Sequence, residues 1–88
     1  MDKFSLLYYV LETDVDLERS VTLIRDENIL EIEPSTFCNE EVFEVSVKDC
    51  SYRKVYCYAI LPSLSLEVAL DEIKKFMKTS DRGDKNEL

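Results

Sequence analysis

Two runs in this chain are apolar on both of the faces that a strand would present. Phe4 to Leu11 is interrupted only by Ser5. Val55 to Leu61 sets Val55, Cys57, Ala59 and Leu61 on one side and Tyr56, Tyr58 and Ile60 on the other. Each is short for an independent helix, and the first is rich in the Tyr, Val and Phe that favour strands. A strand apolar on both faces must be covered on both, so Phe4–Leu11 is expected in the middle of a sheet with material above and below it.

The neighbouring segments supply that sheet. Val42 to Lys48 alternates, with Phe43, Val45 and Val47 on one side and Glu44, Ser46 and Lys48 on the other. With the polar connection Asp49 to Lys54 and the strand Val55 to Leu61, it predicts a β-hairpin. A helix follows directly. From Ser65 to Lys78, Leu66, Leu70, Ile73 and Met77 recur at helical spacing, and Ala69 and Phe76 widen the stripe. Ser65 can cap the start, Glu67 sits in the first turn, Lys74, Lys75 and Lys78 lie near the end, and Asp71 and Lys75 form a favourable i,i+4 pair. Residues 79–88 are polar and aperiodic and read as a flexible tail behind a single domain over 1–78.

The region between is acidic and has two readings. Residues 12–44 hold eleven acids (Glu12, Asp14, Asp16, Glu18, Asp26, Glu27, Glu31, Glu33, Glu40, Glu41 and Glu44) against Arg19 and Arg25, a balance of −9 in a chain of net charge −8. As a helix over 14–26, it has acids in its first turn and Leu17, Val21 and Ile24 on one side. As a hairpin, Val21–Arg25 turns through Asp26, Glu27 and Asn28 and returns as Ile29–Glu33, which Pro34 ends. The fold expected is therefore α+β: a small antiparallel β-sheet of four to five strands with the C-terminal amphipathic helix packed on one face, and 14–26 as the alternative second helix.

Eighty-eight residues leave room for one domain with little stability in reserve. A hydrophobic content of 45% sets the chain apart from disordered acidic segments. No apolar run approaches the ~20 residues of a bilayer-spanning helix, and Met1–Val10 has no basic start or small-residue cleavage site, so the expected location is cytoplasmic. The terminal Asn-Glu-Leu resembles part of a retention signal that is read only in a lumen the chain has no signal to enter. Cys38, Cys50 and Cys57 are odd in number and form no CxxC pair, which suits reduced thiols.

Chemistry is sparse. There is no histidine to activate a Ser or Cys nucleophile, and no GxGxxG, P-loop or HExxH pattern. The chain reads as a non-enzyme without cofactor. Asp14, Asp16 and Glu18 could offer hard oxygen ligands to Mg²⁺ or Ca²⁺, but the glycine of a calcium loop is missing and a solvated acidic surface is the simpler reading. Cys50 lies near Arg53 and Lys54, which favour a thiolate, yet no base or motif accompanies it. Direct nucleic-acid binding is disfavoured, since the small cluster Lys48, Arg53 and Lys54 works against a net −8.

Two functions remain. Like charge crowded on a small domain costs stability and is compensated by solubility or by attraction to a cationic partner. The first reading is thus a protein–protein interaction module whose eleven acids bind a basic protein surface, in its concrete form a small viral or mobile-element inhibitor that imitates nucleic acid in the host cytoplasm. The alternative is a homodimeric structural module that buries a tyrosine-rich sheet face of Tyr8, Tyr56, Tyr58 and Ile60.

Overall fold

The computed structural model describes residues 2–85, with side chains through Lys78. Its elements are β1 (Phe4–Glu12), β2 (Leu17–Arg25), a one-turn 3-10 helix (Asp26–Asn28), β3 (Ile29–Phe37), β4 (Glu40–Lys48), β5 (Tyr52–Leu64) and α1 (Leu66–Lys85). The five strands form one antiparallel sheet in the order β2-β1-β5-β4-β3, with α1 against it. This is the α+β architecture that the alternation and the helical stripe predict.

β5 holds the sheet together by serving two hairpins in turn. Its first half, residues 52–57, pairs with β4; its second half, residues 57–64, pairs with β1. β1–β2 and β3–β4 are each closed locally and then joined through this strand. Cys57 sits at the handover, fully buried.

The connection between β2 and β3 forces the sheet to roll. In a flat five-stranded sheet the two edges would lie roughly 19 Å apart, four spacings of about 4.8 Å. The four residue steps from Arg25 to Ile29 reach at most about 14 Å fully extended, and less when coiled into a 3-10 turn. The edges must therefore bend toward each other at this end. The core agrees: Ile24 from one edge strand and Val45, Val47, Val55, Cys57 and Leu7 from the others form one buried cluster, with Ile29 of the opposite edge packed against it.

Asp26 pins the closure. Its carboxylate accepts hydrogen bonds from Ser5 Oγ at 2.6 Å and Ser63 Oγ at 3.1 Å, and its backbone N–H donates to the Lys3 carbonyl. Ser63 has φ 59°, a left-handed conformation, at a bulge where β5 spends two residues (62 and 63) against one of β1. Pro62 is tolerated there because β4 has already left that side of β5.

Rolling buries one sheet face on itself, and α1 covers part of the other. Ser65 caps the helix, its Oγ accepting from Val68 N–H at 3.3 Å. The side facing the sheet is Ala69, which is fully buried, with half-buried Glu72, Ile73 and Phe76. Phe76 meets Tyr8 edge-on, at 5.6 Å between ring centroids.

Three expectations need correction. Residues 14–26 are not a helix, and Asp26–Asn28 do not close a hairpin: β2 pairs with β1 through a short loop, while β3 pairs with β4. The loop explains the choice, since Thr13 Oγ1 donates to the Asp16 carbonyl and accepts from Asp16 N–H, closing β1 onto the segment next to it in sequence. Pro34 does not end its strand, because β3 is an edge and an absent N–H can face outward. Helix α1 runs to Lys85, and residues 86–88 of the stretch read as a tail lie outside the described residues.

Candidate interaction surface

The eleven acids occupy three places. The largest group stands at the two hairpin tips. Glu12, Asp14, Asp16 and Glu18 are on or beside the β1–β2 loop, and Glu40 and Glu41 open β4 just after the β3–β4 turn. That turn has only two residues, Cys38 and Asn39, with φ of 52° and 68°, the left-handed pair of a tight hairpin turn. The rolled sheet brings the tips together. Residues 12–17 and Cys38 line one surface depression, and Arg19 of β2 reaches Glu40 at 3.7 Å. All six acids are exposed, and Arg19–Glu40 is the one ion pair among them within the described residues. An exposed pair of this length contributes little, so the tips remain a field of uncompensated carboxylate.

The second group lies on the open edge. Glu31 and Glu33 point the same way from β3, and Glu33 stands directly opposite Glu44 of β4. Like charges set opposite one another across a ladder are destabilising. The neighbouring Glu31 carboxyl, foremost as a hydrogen-bonding partner and then through its like charge, raises the Glu33 pKa above the ordinary carboxylate value, and Glu44 adds to the shift. Lys54 opposes the shift; its ammonium is 2.8 Å from Glu44.

The third place is the turn between β2 and β3. Asp26 is committed to Ser5 and Ser63, and Glu27 lies 3.8 Å from Arg25. Asp26 is thus a structural carboxylate, a role that nothing in its local sequence announces.

The residues read as a self-association face are dispersed. Tyr8 packs on Phe76 and lies 6.2 Å from Tyr58, whose ring also receives Arg19 at 5.1 Å. Tyr56 stacks on Phe37 at 5.1 Å, and Ile60 packs against the core cluster. Burial raises the pKa of both Tyr8 and Tyr58. Sequence reasoning missed Phe37, which faces Tyr56 only because the β3–β4 hairpin bends over β5. The two rings help to line a cleft of about 360 Å³ with Tyr9, Glu12, Arg53 and Lys54. Its cations are engaged, Arg53 with Asp49 at 2.9 Å and Lys54 with Glu44.

Among the described residues no group of three or more His, Cys, Asp or Glu side chains is arranged to hold a metal ion. Asp16 turns its carboxylate to the N–H of Leu17 at 2.7 Å, away from any shared centre with Asp14 and Glu18. Cys38 and Cys50 are exposed, whereas burial pushes the Cys57 thiol up to about 12, far from a reactive thiolate. No helix among the described residues is long and apolar enough to cross a membrane. Comparison with protein-family models, with curated proteins and with solved structures gave no match for this chain.

Proposed function

We propose that this protein is a non-catalytic interaction module that binds a basic protein surface through its carboxylates. One observation carries the reading: two hairpin tips remote in sequence are brought side by side, and their six exposed acids have, among the described residues, a single long ion pair. Charge left uncompensated at one place costs folding energy and is recovered when a cationic partner docks. The Glu31–Glu33–Glu44 row adds to this reading, since a partner lysine or arginine would offset the like charge that Glu33 meets from Glu31 and Glu44.

In its finer form the module is a small inhibitor, of the kind viruses and mobile elements direct at host DNA- or RNA-binding machinery, which occupies a cationic groove in place of nucleic acid. The test is capture of proteins from host lysate, with identification by mass spectrometry. Nucleic-acid-binding proteins should be retained at low salt, released as salt rises and displaced by added DNA or RNA, because complementary charge is screened within about a Debye length. Reversing Asp14, Asp16 and Glu41 to lysine should abolish capture while leaving the circular dichroism spectrum unchanged. Retention that is indifferent to salt, to nucleic acid and to these reversals would overturn the reading.

A further inference from the structure

Helix α1 is wider in apolar surface than the sheet beneath it can use. Ala69 and Phe76 face the sheet and the half-buried Ile73 stands at its border, but Leu66, Leu70 and Met77 are 46%, 47% and 57% exposed. Leu66, Leu70, Ile73 and Met77 are spaced by four, three and four residues, the interval that keeps one seam facing a second helix. The open side of this seam is flanked by Glu67 and Lys74, which with Val68, Leu70 and Asp71 border a surface groove of about 490 Å³.

We infer that the occupant of this seam is the α1 helix of a second copy of the chain, laid antiparallel. The order of charge decides it. Glu67 and Asp71 belong to the first half of the described helix and Lys74 and Lys78 to the second. In a parallel pair, acid would meet acid and base would meet base. In an antiparallel pair with its two-fold axis beside residues 71 and 72, Leu66 faces Met77 of the second copy and Leu70 faces its Ile73. The same placement sets Glu67 beside Lys74 of the second copy, twice by symmetry. The contact buries the three exposed apolar side chains of each copy and leaves Tyr8 where it is, against Phe76 of its own helix. It does not depend on the acidic hairpin tips.

Light scattering coupled to size exclusion, run as a concentration series on the full chain, tests this. The mass should rise with concentration from 10.3 kDa toward twice that value. Leu70→Lys should hold it at the monomer. Glu67→Lys and Lys74→Glu should each weaken the dimer roughly tenfold, since each converts two attractive pairs into two repulsive ones. The double swap E67K/K74E should restore it, with circular dichroism confirming that all variants fold. A wild-type chain that stays monomeric throughout, a dimer that survives Leu70→Lys, or a double swap that folds but does not re-dimerise would each overturn the inference.

Discussion

The two hairpins of this protein are built alike and protected differently. Each consists of two nine-residue strands, and each is paired to half of β5. The β1–β2 hairpin lies beneath α1, and much of its outer strand β2 is half-buried. Among the described residues α1 packs mainly on β1, β2 and β5 rather than on the β3–β4 hairpin, whose outer strand β3 has six exposed residues of nine, Leu30 and Ile32 among them at 51% and 47%. An edge strand offers unpaired backbone groups to any passing strand. One edge is guarded by packing and the other by charge, from Glu31 and Glu33, at the cost of repulsion with Glu44.

The largest effect should come from breaking what the hairpins share. Leu7 is fully buried in the cluster that joins Ile24 of the first hairpin to Val45 and Val47 of the second. Leu7→Ala should cost about 3 kcal/mol by chemical denaturation, and both hairpins should unfold in one transition. Separate transitions for the tyrosines of the two halves would show the hairpins to be independent units instead.

Asp26→Ala should cost less, about 1–3 kcal/mol, because it leaves the buried Ser5 hydroxyl without its acceptor. It also releases the clasp between β1, β5 and the β2–β3 turn. Hydrogen exchange should therefore quicken first near Lys3, Ser5 and Ser63, and only later at the β3–β4 turn. Uniform acceleration would mean that the carboxylate does not hold the closure locally.

The charged guard can be removed with little harm to the fold. Glu31→Thr with Glu33→Thr deletes two like-charged neighbours, one of them directly opposite Glu44, so thermal stability should hold or rise slightly while solubility falls. If turbidity on concentration is no greater than for the natural chain, β3 is protected by something other than charge. The same variant should bind a basic partner more weakly, which separates the guard's two uses.

Much of this contrast was legible in the sequence. Alternation in Val42–Lys48, the two-faced run Val55–Leu61 and the Ser65 cap each fix a local choice, and each is realised. What could not be read was pairing at a distance. Residues 21–33 look like a hairpin because both arms are extended around Asp26–Asn28, but β1 takes the first arm and β4 the second. Nothing local distinguishes those partners. The same limit applies to the acids: their number is plain in the sequence, but their gathering at two adjacent tips depends on the roll of the sheet. It also applies to the helix, where Leu66, Leu70 and Met77 belong to the predicted stripe and yet lie outside the part that the sheet covers.

The smallest effect lies at the β4–β5 turn, on the uncovered half. Asp49 accepts from Arg53 Nη2 at 2.9 Å and from the backbone N–H groups of Cys50 and Ser51, and the arginine contact foremost lowers its pKa to about 2. A carboxylate whose folded pKa is depressed adds stability above its unfolded value of about 4 and loses it as pH falls through the folded value. The chain should therefore be slightly more thermostable than its Asp49→Asn variant at neutral pH, with the gap closing between about pH 4 and pH 2. Hydrogen exchange for the variant at neutral pH should quicken around residues 48–53 and leave the helix-covered β1–β2 hairpin as it was. An equal response in both hairpins would show that the turn is coupled across β5, and that the helix and the charges guard a single cooperative sheet.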